Sequence, residues 1–308
     1  MQVSKKAYTQ VSLLIIGIIS IALSSILIKM SAAPAPVMGM YRLFVALLLM
    51  SPWIKWRQLC KLLKGLRSKE KLLLVLSGIF LGLHFLLWME SLTYTSVASS
   101  MILLSLQPVF VLIGSFLLYK ERTTRIAAAA LGIAIIGSSL IAWGDIGLSP
   151  RALWGDVLSV LGGLSYALYM LTGQNLCTKM PSMFYSFFVF LIGGALLLGY
   201  NLTKGIQMTD YPASDWLIFV LLAVIPTILG QMLFNLLLQV MPASTISMAI
   251  ILEPVFAIGL ADVMLGERIG GLAAIGGTIT LVGITLYFWS KRKVEAGAEM
   301  VREEKLAS

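Results

Sequence analysis

Ten apolar stretches, each about 20 residues long, recur along the 308-residue chain and restrict what it can fold into. A helix rises about 1.5 Å per residue, so a stretch of this length crosses the ~30 Å hydrocarbon core of a membrane. Backbone polar groups in lipid must be satisfied within the segment, which favours helices over barrel strands. The sequence therefore predicts an all-α integral membrane protein with ten transmembrane helices. The predicted spans are residues 11–28, 37–54, 72–92, 97–119, 126–143, 153–176, 183–202, 216–240, 243–265 and 269–290.

The composition excludes a soluble protein. Hydrophobic residues make up 59% of the chain and charged residues 12%, whereas a soluble domain is roughly 45–50% apolar and about 25% charged. The net charge of +9 comes from basic residues between the spans, so no nucleic-acid partner is predicted. Two cysteines, one histidine and the absence of HExxH, P-loop and GxSxG motifs predict no metal, no cofactor and no enzyme.

The distribution of Lys and Arg predicts the orientation in the membrane. With a cytoplasmic N-terminus, the inner segments carry 18 of these residues and the outer loops carry four. Such an excess on one side is typical of cytoplasmic loops. We therefore predict a multi-pass protein of the cell membrane with both termini in the cytoplasm. The charged tail, residues 291–308, is predicted to be disordered.

An internal repeat divides the chain at a fixed offset of 146 residues. The tripeptide Pro-Val-Phe at 108–110 returns at 254–256, and the Glu-Arg pair at 121–122 returns at 267–268. Each half contains five predicted spans. Because five is odd, the second half must enter the membrane upside down relative to the first.

The predicted halves are residues 1–148 and 149–290. Inverted repeats of this kind are a recurrent plan of secondary transporters, because two related halves can open a central site alternately to each side. A duplication retained only for helix packing is the alternative.

Several segments resemble a known family. The segments TSVASSMILLSLQPVFVLIGSFLLYKER and ASTISMAIILEPVFAIGLADVMLGER are similar to the two copies of the EamA-type repeat of the drug/metabolite transporter superfamily, as are YRLF around Arg42, LHFLLWMESLTYTSVAS and GDVLSVLGGLSYALY. The resemblance covers about residues 10–290. It implies two inverted five-helix repeats around a central cavity, with the fifth and tenth helices peripheral. It also implies transport of small organic solutes, often export of amino acids or related metabolites.

Glu253 lies about ten residues into the ninth predicted span, close to the middle of the bilayer. A charged side chain at that depth costs about 2.5–3.5 kcal/mol on insertion scales, so it usually faces a partner or a watery cavity. Pro254 follows and predicts a local kink. The carboxyl group suits proton coupling or the binding of an ammonium group; a protonated glutamate bonded between helices is the alternative. Gln107 is its uncharged equivalent in the first half.

Three residues of the second and third spans are further candidates. Arg42 is predicted to hold a substrate carboxylate, to pair with Glu90, or to extend towards the headgroups. His84 and Trp88, four residues apart, share one helix face. They are predicted either to line a cavity, with Trp88 as a cation–π surface, or to pack with His84 bonded to a neighbouring helix.

The second half contributes polar residues at helical spacing. Gln231, Asn235 and Gln239 form one stripe of amides, which is predicted either to line a cavity or to bond neighbouring helices. Tyr166 is a candidate cavity residue. The predicted substrate-binding residues are Arg42, His84, Trp88, Gln107, Tyr166, Gln231 and Asn235, and the predicted coupling residue is Glu253.

The sequence thus predicts a secondary transporter of small organic metabolites, with a small-molecule substrate and membrane lipid as its partners. Export of amino-acid-like or amphiphilic solutes by alternating access, with proton coupling, is the leading hypothesis. A channel or passive facilitator of small solutes or lipids is the alternative. A homodimer is a further partner that the sequence neither predicts nor excludes.

Overall fold

A computed structural model describes residues 2–95, 100, 103–121, 123–142, 150–265 and 271–307. Every regular element in these residues is a helix. A 3₁₀ turn at Ser51–Trp53 follows α2, and a π-helical segment at Ala223–Met232 joins α9 to α10. In chain order the α-helices are α1 (Gln2–Lys29), α2 (Ala35–Met50), α3 (Trp56–Gly65), α4 (Ser68–Ser91), α5 (Gln107–Tyr119), α6 (Arg125–Ala142), α7 (Pro150–Cys177), α8 (Ser182–Thr203), α9 (Ala213–Leu222), α10 (Leu233–Leu237), α11 (Ala243–Ile250), α12 (Glu253–Leu265) and α13 (Gly271–Ala307).

Five helical stretches within the described residues are long and apolar enough to cross a membrane. They are Tyr8–Ile28, Ala35–Trp53, Ser68–Ser91, Ser182–Thr203 and Ala213–Leu237. Three shorter apolar helices accompany them, at Gln107–Tyr119, Arg125–Leu140 and Ala243–Ala257. The chain is therefore an all-helical, multi-pass membrane protein.

The fourth and ninth predicted spans are interrupted at equivalent positions. A two-residue turn precedes Gln107, where α5 begins, and another separates α11 from α12 before Glu253. The next residues, Pro108 and Pro254, lack a backbone N–H and clash with the carbonyl four residues earlier. The irregularity expected at Pro254 is thus a two-residue turn, in which the N–H groups of Ile251 and Leu252 bond carbonyls three residues earlier. Residues 97–99 and 101–102 of the fourth predicted span lie outside the described residues.

The helices around the centre form two groups. The first bundle consists of α4, α5 and α7. The second bundle consists of α1, the α9–π–α10 helix, and α11 with α12. Helices α2 and α8 pack against each other and against both bundles, whereas α6 and α13 pack chiefly against one another. Each bundle therefore combines helices from both predicted halves of the chain.

The contact between α6 and α13 is reciprocal. A Cβ added to Gly137 would lie 2.4 Å from the backbone nitrogen of Thr280, and one added to Gly283 would lie 2.6 Å from the backbone nitrogen of Ala134. Gly283 follows Gly137 by 146 residues, and Thr280 follows Ala134 by the same interval. The two helices therefore approach through equivalent surfaces and run antiparallel. Glycine is required at both positions because the backbone of the partner helix occupies the place that a Cβ atom would take.

The last helix extends beyond the predicted span. The backbone of residues 291–307 continues α13 to Ala307, where the sequence predicts disorder. Alanine, glutamate, lysine and arginine dominate this tail, and all have high intrinsic helix propensity. A helix already anchored by its apolar part can extend through such residues without a new nucleation step.

Candidate functional site

A cavity of about 60 Å³ lies between the two bundles. Cavity space of roughly 10–15 Å³ accommodates one water molecule, so there is room for several. Ser24 and Phe85, which were not predicted, also line it. Seven of the eight predicted site residues line the cavity, namely Arg42, His84, Trp88, Gln107, Tyr166, Gln231 and Glu253.

Arg42 places a buried guanidinium on this cavity. Its side chain is 3% exposed. Nε donates to Thr227 Oγ1 at 3.0 Å, Nη1 donates to Ser24 Oγ at 3.2 Å, and the guanidinium lies 4.4 Å from the centre of the Phe85 ring. The alternative pairing with Glu90 is not present, because Glu90 accepts a hydrogen bond from the Tyr200 hydroxyl at 2.6 Å.

The π-helical segment explains how Thr227 reaches Arg42. Pro226 inside this segment has no N–H to donate. The Thr227 hydroxyl donates to the carbonyl of Leu222, five residues earlier, at 2.8 Å. A π-helical turn is wider than an α-helical turn and often occurs at functional sites. It leaves the lone pairs of the Thr227 oxygen available to the guanidinium.

Glu253 is the first residue of α12 and supplies the carboxyl group of the cavity. Arg42 and Glu253 line the same space, yet within the described residues neither forms an ion pair shorter than 4.0 Å. A buried charge without a direct counter-ion is costly, and an additional partner that bonds it recovers part of that cost. The cavity thus presents one cationic and one acidic group, held apart.

Aromatic rings form one wall of the cavity. The His84 and Trp88 rings are stacked with centroids 6.0 Å apart, and the Tyr166 ring lies 4.7 Å from His84. His84 Nδ1 lies 3.1 Å from the Gly162 carbonyl of α7. Both predicted arrangements of His84 are therefore present at once, since it bonds a neighbouring helix and also lines the cavity.

Trp88 presents an unused donor. Its Nε1–H is buried and has no hydrogen-bond acceptor among the described residues. Buried polar groups are nearly always bonded, so each exception calls for an explanation. A bound acceptor group of a solute would satisfy this donor.

A chain of hydrogen bonds joins Tyr166 to Asn235. The Tyr166 hydroxyl donates to Gln231 Oε1 at 3.0 Å, and Gln231 Nε2 donates to the Tyr169 hydroxyl at 3.1 Å. Tyr169 in turn donates to Asn235 Oδ1, and Asn235 Nδ2 donates to Ser186 Oγ at 2.9 Å. Asn235 is fully buried behind this chain, so it is not among the residues that line the cavity.

The third amide of the predicted stripe lies elsewhere. Gln239 Nε2 donates to the carbonyl of Met180, in the turn between α7 and α8, at 3.2 Å. The three amides therefore lie in three different environments: Gln231 lines the cavity, Asn235 is buried behind it, and Gln239 bonds the turn between α7 and α8. The π-helical segment contributes to this outcome, because it changes the register on which a single stripe at spacing i, i+4 depends.

A second pocket of about 40 Å³ adjoins the cavity where the two helix breaks meet. It shares Trp88 and other lining residues with the cavity. Because α5 and α12 both begin here, the partial positive charge of two helix N-termini lies beside the pocket. Eight of its lining residues form four pairs separated by 146 positions, Leu104 with Ile250, Ser105 with Ile251, Gln107 with Glu253, and Pro108 with Pro254.

Three residues that contact Arg42 were not predicted. Ser24 and Thr227 are single hydroxyl residues within apolar spans, where they usually bond their own helix, and Phe85 has no distinguishing pattern. The sequence does contain one indication for Thr227, since it follows Pro226 within a predicted span. A proline there frees helix carbonyls, and nearby hydroxyl groups commonly satisfy them.

The fold and the site together define a class: a multi-pass helical membrane protein with a small cavity, lined by charged, polar and aromatic side chains, between helices of both predicted chain halves. Comparisons with known proteins also indicate a membrane protein, of the transporter class. The model of the EamA-like transporter family matches residues 9–143 and again residues 153–289.

Known relatives are similar in length and bear transporter names. An uncharacterized transporter of Archaeoglobus fulgidus is 23% identical over 253 residues, covering 81% of this chain and 86% of the relative. The uncharacterized transporter YetK of Bacillus subtilis is 28% identical over 226 residues, covering 71% and 68%. A protein of known crystal structure superposes with a TM-score of 0.77 at 14% identity, over 94% of this chain and 99% of that one; this likeness concerns the fold alone.

The chain belongs to the EamA-like transporter family. It is a membrane transporter, and the resemblance to the EamA-type repeat is confirmed.

Proposed function

We propose that the chain is a secondary transporter of the cell membrane that works by alternating access. Ten transmembrane helices form two inverted five-helix repeats, residues 1–148 and 149–290, with both termini in the cytoplasm. The reciprocal, antiparallel packing of Gly137 and Gly283 supports the inversion, as does the pocket lined by residue pairs 146 positions apart. The excess of basic residues in the predicted inner segments supports the orientation.

The solute is an amino-acid-like or amphiphilic metabolite that carries both a carboxylate and an ammonium group. The observation that supports this is the separation of Arg42 and Glu253 on one cavity without a direct ion pair. A guanidinium binds a carboxylate through two parallel N–H bonds. A carboxylate on the opposite side binds an ammonium group, and the aromatic wall of His84, Trp88 and Tyr166 contacts the apolar part.

Glu253 couples transport to protons. Its carboxylate binds either a proton or the ammonium group of the solute, but not both together. Under the proton gradient of a cell, protons enter from outside and displace the solute outward, which makes the protein an exporter. The carboxyl group lies at the start of α12, beside the interruption between α11 and α12 and on the cavity, and discontinuous helices commonly form the substrate and ion sites of transporters.

Counterflow in proteoliposomes tests the proposal. Vesicles are loaded with one unlabelled L-amino acid at a time, and exchange for the same labelled compound is measured across aromatic, branched and polar amino acids. We expect saturable exchange for at least one compound and its loss in Arg42→Gln. Glu90→Gln is the matched control, because Glu90 bonds Tyr200 and does not line the cavity. Flux that rises linearly with concentration would support the channel alternative, and leak-level flux for every compound would contradict transport of this class.

A further inference from the structure

Among the residues that the structure describes, five direct hydrogen bonds join the first bundle to the second. They connect the C-terminal part of α7 and the residues that follow α5 to the end of the π-helical segment, to α10 and to the start of α11. Under the proposed topology these bonds are on the cytoplasmic side of the cavity. The bonded pairs are Tyr166–Gln231, Gln231–Tyr169, Tyr169–Asn235, Gln174–Ala243 and Glu121–Ser244.

The outermost layer is a closed ring of bonds centred on Glu121. Oε1 of Glu121 accepts from Gln174 Nε2 at 3.0 Å, and Oε2 accepts from Ser244 Oγ at 3.1 Å. Gln174 Oε1 accepts the backbone N–H of Ala243 at 2.6 Å. The ring joins the ends of α5 and α7 in the first bundle to the start of α11 in the second. We call this set of four residues the cytoplasmic latch.

The local backbone directs Glu121 into the latch and away from the helix that follows it. Lys120 ends α5 in the left-handed conformation, with φ of 58°. This reverses the chain direction, and the Glu121 N–H bonds the carbonyl of Ser115 at 3.3 Å. The start of α6 is capped by Thr124, whose Oγ1 accepts the Ala127 N–H at 3.1 Å. The cap of α6 is therefore supplied by Thr124 and not by Glu121.

Charge strengthens the latch. Both partners donate to a carboxylate, and hydrogen bonds to an ionised group are about twice as strong as neutral ones. The carboxylate also lies near the N-terminus of α11, whose partial positive charge it complements. When the cavity opens to the cytoplasm, the two bundles must separate at this layer, and the latch must break.

We propose that Glu121 is a gating residue, which holds the two bundles together on the cytoplasmic side and so sets how often the cavity opens there. This inference rests on the proposed function, because it requires alternating access. At this layer the two halves of the chain differ in sequence. The residue 146 positions before Ser244 is Ala98, which has no hydroxyl. The latch therefore favours the state closed to the cytoplasm.

Side-specific labelling of a cysteine tests the inference without a solute. Ser247 lies on α11, is fully buried and lines the second pocket behind the latch. In a background with Cys60→Ser and Cys177→Ala, Ser247→Cys is labelled with a membrane-impermeant maleimide in inside-out vesicles. We expect Glu121→Ala to raise the labelling rate roughly fivefold or more, the usual lower range for a coupled conformational equilibrium. Ser244→Ala, which removes one of the bonds, gives a smaller rise.

Glu70→Gln is the matched control, since Glu70 is also predicted to be cytoplasmic but bonds Lys179 outside the interface between the bundles. It leaves the labelling rate unchanged. All variants are first checked for monodisperse elution. An unchanged rate in Glu121→Ala, or an equal rise in Glu70→Gln, overturns the inference. Counterflow decides the proposed function separately, because labelling requires no transported compound.

Discussion

Arg42 and Thr227 are joined by a hydrogen bond of 3.0 Å between Nε and Oγ1, across the contact of α2 with the π-helical segment. This bond connects the cationic group of the cavity to a local irregularity of the backbone. A regular α-helix with Pro226 would not place Thr227 in the same way, since a π-helical turn contains about one more residue per hydrogen bond. The orientation of the charge therefore depends on the helix that faces it.

Thr227→Val removes the acceptor and keeps the shape of the side chain. A hydrogen bond to a charged group contributes about 1.5–3 kcal/mol, so we expect the KM of counterflow to rise roughly tenfold or more while the maximal rate changes less. Thr227→Ser keeps the hydroxyl and is the control. Equal KM values for Val and Ser at this position would show that Thr227 does not position Arg42.

Glu253→Gln separates binding from coupling. The amide has nearly the same size but cannot take up or release a proton, so exchange of solute for solute continues while accumulation driven by a pH gradient is lost. Both are measured in the same proteoliposomes with the compound that gives saturable counterflow. Full dependence on the pH gradient in Glu253→Gln would contradict proton coupling through this residue.

Gly137→Ala tests the reciprocal contact between α6 and α13. The new Cβ would lie 2.4 Å from the backbone nitrogen of Thr280, so the helices must separate, at a cost of about 1–3 kcal/mol. Gly132→Ala on the same helix is the control, because an added Cβ there meets nothing within 4 Å; it gains up to about 1 kcal/mol. Thermal unfolding midpoints in detergent are compared. Equal midpoints for the two variants would show that the close contact is absent.

Lys120→Gly tests the backbone strain before the latch. A non-glycine residue in the left-handed region costs about 1–2 kcal/mol, so glycine stabilises the folded protein and raises the thermal midpoint. Lys120→Ala removes the same charged side chain without relieving the strain and provides the reference. A midpoint for Lys120→Gly at or below that of Lys120→Ala would contradict the left-handed conformation. The residue 146 positions later is Gly266.

Much of the fold follows from apolar segment length and proline position. An apolar segment of about 20 residues predicts a helix that crosses the membrane. Pro254 predicts an irregularity in its helix because proline has no backbone N–H to donate, whatever its surroundings. Gln107 and Glu253, which are 146 positions apart, both begin a helix and both line one pocket. Burial cost in a membrane is a property of single residues, which is why Arg42 and Glu253 are recognisable in the sequence.

Contacts between distant segments could not be predicted. Asn235 belongs to the same amide stripe as Gln231, yet the bond from Tyr169 holds it behind the cavity. Glu121 is recognisable in the sequence only as part of a repeated Glu-Arg pair, and the packing of α7 and α11 is needed to show its partners, Gln174 and Ser244. Such roles depend on which helices become neighbours, and no local pattern carries that information.

Access to Ser24 from both sides of the membrane tests the central claim most directly. This residue lines the cavity and bonds Arg42. In the background without native cysteines, Ser24→Cys is exposed to an impermeant maleimide in right-side-out and in inside-out vesicles. Alternating access predicts labelling from both sides, with no passage of the reagent into the vesicle lumen. Labelling from one side only, or labelling from both sides together with entry of the reagent, would contradict a carrier.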